Sequence, residues 1–359
     1  MSPMQHELSH EAEYQKGVKR LYENGIQHVP RKYILPETDR PNERSSRAEL
    51  NLKLPEIDCA QLNGPNRGRV LASLSYACEN YGFFQLTNHG IPEEIINNMS
   101  DMSKKFFELP FADREKYMSL DMRSPVRYGT SFNQIKDEVF CWRDFLKLVC
   151  DPQPDVLSHW PCAPIDLKES GVAYAKATKL LFLSLAQAIL ESLGIRNRDD
   201  DGMLKELENG SQILVMNCYP PCPEPELTVG MLPHSDYGFL TLLLQDEIRG
   251  LQIHHQDHWV TVEPLPGSFV VNVGDHLEIF SNGRYKSVLH RVLVNSYNYR
   301  ISVASLHSLS FASTVQPSSA LINESNPRRY RGTDFSGFLE FVKSRDSTKK
   351  NFIESIKLS

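Results

Sequence analysis

The stretch GMLPHSDYGFLTLLLQD, residues 230–246, combines a turn, a His-x-Asp pair and a strongly apolar β run. On an extended strand residues i and i+2 point the same way, so His234 and Asp236 can reach one metal ion. Far downstream lie His290 and then Arg300-Ile-Ser302. Two imidazoles and one carboxylate can hold one face of a ferrous ion and leave the opposite face open. Arg300 and Ser302 share a strand face. A guanidinium and a hydroxyl so placed suit a carboxylate-bearing co-substrate beside the metal.

Outward from this stretch, short β-rich runs are separated by turn residues: 213–219, 240–245, 251–254, 259–262, 269–273, 288–294 and 300–306. Gly250, Pro266-Gly267 and Asn282-Gly283 punctuate them. The spacing predicts a double-sheet jelly roll. The first half reads differently. Helical patterns cover 11–24, 67–81, 92–109 and 171–193, with short strands at 54–58 and 83–86. The whole is expected to be mainly β with flanking helices: a double-stranded β-helix (jelly-roll) core and a helical N-terminal region. The boundaries expected are an extension with a short helix and linker (1–50), a helix-rich region (51–210), the catalytic core (211–310) and a helical tail (311–359).

Bulk composition narrows the function. With 40% hydrophobic and 23% charged residues, the chain can bury a core and is not disordered. A net charge of −6 and no long basic run give nucleic acid or an anionic membrane nothing to bind. The longest apolar run, residues 180–190, is too short to span a bilayer. The first residues carry acidic groups and no apolar signal core, and the terminal KLS is not the peroxisomal tripeptide. Seven cysteines without metal-binding spacing are expected to be reduced thiols, with Cys222 packing rather than reacting. Cytoplasmic location is therefore expected, with no required protein partner.

The His-x-Asp pattern is not unique. His255-Gln-Asp257 has the same spacing, and His276-Leu-Glu278 is a His-x-Glu. The first lies between two strand-like runs and reads as a solvated hairpin tip. The second follows a turn at Gly274-Asp275, and Asp275 itself reads as a turn organiser. His234-Ser-Asp236 instead precedes an apolar strand, where water can be kept out. His290 in isolation would read as a core histidine.

Its neighbours change that reading. Asn217-Cys-Tyr219-Pro-Pro-Cys-Pro, Pro233-His-Ser-Asp-Tyr-Gly, Leu240-Thr-Leu-Leu, Gly250-Leu-Gln, Asn272-Val-Gly-Asp275, Ser281-Asn-Gly-Arg-Tyr-Lys-Ser-Val-Leu-His-Arg291 and Arg300-Ile-Ser302 stand in one order. Upstream are Leu54-Pro-Glu-Ile-Asp58, Gly82-Phe-Phe-Gln-Leu-Thr-Asn-His89-Gly and Phe106-Phe-Glu-Leu-Pro110. Over residues 50–345 the set resembles the plant 2-oxoglutarate/Fe(II)-dependent dioxygenases. The resemblance implies Fe(II) on His234, Asp236 and His290, and 2-oxoglutarate held by Arg300, Ser302, Asn217 and Tyr219. It implies O2 as second co-substrate, ascorbate as a supporting reductant, and hydroxylation or desaturation of a small molecule with release of succinate and CO2. Cys218 departs from the usual residue but faces away from Asn217 and Tyr219. His89 reads as structural.

For the substrate, Val215 shares the face of Asn217, and Leu306 and Ser308 share that of Arg300 and Ser302. Phe132, Phe140, Phe145 and Leu146 lie in the segment that lines the pocket mouth in this family. These residues suit a flat, weakly polar molecule, and no basic residue near Ser308 suggests a second carboxylate. Residues 302–308, 326–330 and 333–335 resemble a flavanone 3-hydroxylase-like and downy-mildew-resistance-type subgroup. A flavonoid or related phenolic is therefore expected. The alternatives are a hormone of salicylate, gibberellin, auxin or strigolactone type, an alkaloid, an oxidase independent of 2-oxoglutarate, or a non-catalytic iron-binding relative.

Overall fold

Strands built from alternating inward and outward side chains form two sheets in the computed structural model, which describes residues 14–41, 53–131, 137–151, 156–195, 202–344 and 351–358. In chain order they are β1 (Glu56–Asp58), β2 (Phe83–Thr87), β3 (Val126–Gly129), β4 (Asp144–Asp151), β5 (Ser211–Tyr219) and β6 (Met231–His234). Then come β7 (Leu240–Gln245), β8 (Leu251–His255), β9 (His258–Thr261), β10 (Phe269–Val273), β11 (His290–Val292) and β12 (Arg300–Ser308). The larger sheet runs β1-β2-β10-β7-β12-β5-β4-β3, the smaller β6-β11-β8-β9. All pairings are antiparallel except β1 with β2. This is a double-stranded β-helix core, as expected. Four of its strands come from the helix-rich first half.

Alternation divides the larger sheet into two faces. Leu214, Met216 and Cys218 of β5, Leu240 and Leu242 of β7, and Ile301 and Val303 of β12 point outward into a buried core shared with helices. The helices of five or more residues are α1 (Val18–Glu23), α2 (Arg67–Asn80), α3 (Glu93–Glu108), α4 (Leu167–Ser192), α5 (Met203–Glu208), α6 (Asp275–Phe280), α7 (Phe335–Ser344) and α8 (Phe352–Ile356), and all but α1 reach this core. α4 has the length and hydropathy of a membrane span. Its Tyr174, Phe182, Leu185 and Ile189 are nonetheless buried in this core, and His307 of β12 stacks on Phe182 at 4.4 Å. It is the central core helix. The inward face meets the smaller sheet through Phe83, Val270, Leu251, Ile253 and Val260.

The N-terminal segment is part of the body. Gly17 adopts φ 100°, and a Cβ there would sit 2.6 Å from the Asp144 carboxylate. That close approach lets Asp144 accept the amides of Val18 (2.8 Å) and Lys19 (3.3 Å) at the start of α1. Val18, Leu21, Val29 and Tyr33 then pack on Phe140, Trp142 and Cys222.

Several boundaries differ from the sequence reading. The run 288–294 pairs only over His290–Val292, with a register shift against β6 between His290 and Val292. β3 and β4 had no clear signal, because charged Arg127, Lys147 and Asp144 interrupt their apolar pattern. Of the expected helix at 11–24, residues 11–13 lie outside the described residues, and the helix spans Val18–Glu23. All seven cysteines are free.

Candidate active site

β6 delivers His234 and β11 delivers His290 directly opposite it. Asp236 lies just past the end of β6. His234 Nε2 and His290 Nε2 each lie 3.7 Å from Asp236 Oδ1. The three ligand atoms are within 4.8 Å of one another, and among the described residues this is the only such cluster.

Each ligand is oriented by its second polar atom. His234 Nδ1 donates to the Leu232 carbonyl at 2.8 Å, and His290 Nδ1 to the Val288 carbonyl at 3.2 Å. Those bonds select the tautomer whose Nε2 lone pair faces the cluster. Asp236 Oδ2 accepts from Thr241 Oγ1 (2.6 Å) and Asn272 Nδ2 (2.8 Å), which leaves Oδ1 for a cation. Burial, then the neighbouring His290, holds His234 down to about 4, so the ring is neutral and ready to ligate. Burial pushes the Asp236 carboxyl up, but His290, His234 and the two hydrogen bonds outweigh it, and the group stays an anion. Two imidazoles and a carboxylate on one side form a donor set that fits a ferrous ion.

The second half of the site lies on the inward face of β5, β7 and β12. Asn217, Ser302 and Gln245 stand in one cross-strand row, with Arg300 opposite Tyr219. Arg300 is 1% exposed and carries no ion pair among the described residues. Its Nε donates to the Ile248 carbonyl at 3.1 Å and its Nη2 to Gln245 Oε1 at 2.9 Å. Arg300 Nη1 and Gln245 Nε2 are buried without a partner. Asn217 Nδ2 donates to Ser302 Oγ at 3.4 Å. Gly250 makes room for this guanidinium, since a Cβ there would lie 3.0 Å from Arg300 Cδ. Buried donors without acceptors are costly, and the carboxylate of 2-oxoglutarate fits them.

Of the expected pocket residues, Val215, Leu306 and Ser308 lie on the inward face. Val215 and Leu306 are half-buried, whereas their outward neighbours Leu214, Met216 and Val303 are fully buried. An accessible space therefore faces inward. Ser308 Oγ bonds His276 Nδ1 at 2.7 Å. Phe145 stands opposite Asn217 and faces the same way. Two expectations are corrected. Leu146, one residue on, points outward into the helix-side core, because strand neighbours alternate. Phe140 is taken up by the N-terminal segment, with its ring edge-on to Tyr33 at 5.6 Å. Phe132 lies outside the described residues.

The rejected patterns are placed elsewhere. Gln256 and Asp257 form a turn with φ 48° and 62°, and His255 stacks on Tyr81. His276 and Glu278 lie in α6, a helix rather than a simple turn, where Glu278 accepts from Ser287 N and Tyr330 OH. The sequence reading missed Thr241, Asn272 and Gln245, which only the pairing of separate strands brings beside Asp236 and Ser302. It also missed Arg143, whose Nη1 donates to Asn217 Oδ1 at 3.1 Å.

Comparison with known proteins agrees with this geometry. The profile of the 2OG-Fe(II) oxygenase superfamily matches residues 210–308. That of the non-haem dioxygenase in morphine synthesis N-terminal region matches 54–164. Protein DMR6-LIKE OXYGENASE 1 of Arabidopsis thaliana is 42% identical over 297 residues, covering 83% of this chain and 84% of the relative. Flavanone 3-dioxygenase 2 of Oryza sativa subsp. japonica is 37% identical over 328 residues, covering 91% and 93%. The crystal structure of JOX2 in complex with 2OG, Fe and JA aligns with TM-score 0.84 at 32% identity, covering 96% of this chain and 98% of that one.

Proposed function

This chain belongs to the 2-oxoglutarate/Fe(II)-dependent oxygenase superfamily, and from that premise we propose that it hydroxylates or desaturates a flavonoid or related phenolic. The observation that carries the reading is the His234, Asp236 and His290 cluster, together with an Arg300 Nη1 that is buried without a partner. When bound, iron with 2-oxoglutarate and O2 supplies the oxidising power, and 2-oxoglutarate leaves as succinate and CO2.

The chain's own residues do the positioning. His234, Asp236 and His290 would hold iron from one side. Thr241 and Asn272 fix which carboxylate oxygen faces it. Arg300 and Ser302 would take the far carboxylate of 2-oxoglutarate, with Asn217 and Tyr219 beside them. Tyr219 lies under the Arg300 guanidinium at 5.1 Å. Val215, Leu306 and Phe145 supply the apolar walls that suit a planar ring and keep water from the reacting carbon. The likeness to flavanone 3-dioxygenase 2 supports a phenolic substrate. Free cysteines throughout suit a reducing compartment, and the cytoplasm is the one we propose.

The test is to load the protein anaerobically with Fe(II) and 2-oxoglutarate, add O2, and screen flavanones, phenolic acids, hormones and alkaloids. Succinate and oxidised product should rise together with a phenolic. If only hormones or alkaloids couple succinate to product, the phenolic assignment falls.

A further inference from the structure

The inward wall of β3 and β4 carries three cations. Arg127 and Lys147 are cross-strand partners, and Arg143, the residue just before β4, packs its guanidinium against Phe145. Arg127 is 3% exposed and Arg143 4%. Phe145 lies between them, 5.2 Å from the Arg127 guanidinium and 4.9 Å from that of Arg143. Among the described residues none of the three forms an ion pair. Arg127 is spent on the carbonyls of Ser119 and Ser131, and Lys147 on that of Met122. The nearest carboxylates, Asp121 and Asp137, act on Arg127 from a distance, and Asp137 already accepts from Ser131 Oγ. Of the three, only Arg143 keeps a buried nitrogen without a partner among the described residues. Its Nη1 holds Asn217, and its Nε is buried with no partner.

A buried guanidinium without a counter-anion is costly to keep. Its position explains why it is retained. Arg143 reaches Asn217, which faces the space shared with the iron ligands, and its charge is felt at His234. Burial and the Arg143 charge together depress Arg127 to about 10, and burial with Arg127 depresses Lys147 to about 8. The wall is thus short of negative charge.

We propose that Arg143, backed by Arg127 and Lys147, recognises an anionic oxygen on the organic substrate, at a second anion site distinct from the Arg300 site. The inference rests on the phenolic reading and deepens it: the substrate enters as a carboxylate or as a phenolate. Arg114 also has a buried unpaired Nε, but its guanidinium pairs with Glu23, whereas Arg143 has no carboxylate partner among the described residues.

Matched pairs test it. Binding to the full chain with Fe(II) and 2-oxoglutarate is measured anaerobically by calorimetry. One pair is 4-coumarate and its methyl ester; the other is naringenin and its 7-methyl ether at pH 8.5. In the wild type one anion should bind at least about tenfold tighter than its neutral partner, and the arm that shows it identifies the source of the charge. Arg143→Gln should cut that ratio below about threefold, and Arg143→Lys should keep part of it. Lys147→Met should lower it less.

Equal binding of both members in both pairs of the wild type overturns the proposal without need of any variant. So does a ratio that survives Arg143→Gln, or a loss in that variant of 2-oxoglutarate and both members alike. If none of the four molecules binds at millimolar concentration while another substrate class turns over, the phenolic reading fails first.

Discussion

His234-Ser-Asp236 and His255-Gln-Asp257 have the same spacing and opposite fates. The first pair sits at the end of β6, where the extended chain turns both side chains to one side and β11 brings His290 opposite. The second sits on the β8–β9 reversal, where Gln256 and Asp257 have positive φ and His255 pairs across the hairpin with His258. There the chain doubles back, so residues two apart no longer share a face. His255 lies flat on Tyr81 at 4.9 Å. The spacing has chemical meaning only where the backbone is extended and a third ligand arrives.

Exchanging the two motifs' roles gives the largest expected effect. His234→Ala or Asp236→Ala should abolish Fe(II) binding and lower 2-oxoglutarate-dependent product formation by ~10³-fold or more, since a metal held by two ligands is weakly bound and misplaced. His255→Ala should stay within about twofold of wild type. Retained turnover in His234→Ala would move the site to the other motif. Next comes Arg300→Ala. Removing one partner of a buried charge pair costs about 2–5 kcal/mol, so the 2-oxoglutarate Kd should rise by ~10²-fold or more, measured by calorimetry. Thr241→Val or Asn272→Ala should weaken iron binding about 10–100-fold while leaving the three ligands in place. That separates a site built on a supported strand end from a bare pair of ligands.

Acid stability sharpens the contrast further. Burial holds His276 down to about 3, and burial with His290 holds His234 to about 4. The folded state keeps these rings neutral, whereas the unfolded chain takes up protons below about 6.5. Stability of the iron-free protein is therefore full above that pH and falls as pH drops towards the folded values. The loss is at most about 1.4 kcal/mol per pH unit for a buried histidine. Denaturation midpoints between pH 7.5 and 5 should fall, and His276→Gln should flatten the slope. His255→Ala should not. The smallest effect is at the decoy itself: Tyr81→Ala removes one stacked pair and should cost about 0.5–1.5 kcal/mol, with no change in iron affinity.

The inward wall shows why part of the site was hidden. Ser302 and Arg300 could be read from parity along one strand, and Asn217 from the resemblance to the family. Gln245, Thr241 and Asn272 needed the register between strands, which places Gln245 beside Ser302 and Asn272 beside Thr241. Arg143 gave no such sign, because β4 was not legible as a strand. Its cations look like a surface in the sequence, and they are buried only because β3 and β4 extend the sheet past β5. The same miss led to Leu146 being grouped with Phe145.

The two-residue alternation and the turn residues between runs were enough to point to a jelly roll, and the ordered motifs, through their resemblance to a known family, to iron and 2-oxoglutarate chemistry. Alternation and turns are local properties, set by φ/ψ preference and by which side chains tolerate burial. Two things were decided only by the tertiary structure: which buried donors are left without acceptors, and which cations face inward. Each depends on strands distant in sequence meeting in one register, and no local pattern carries that information.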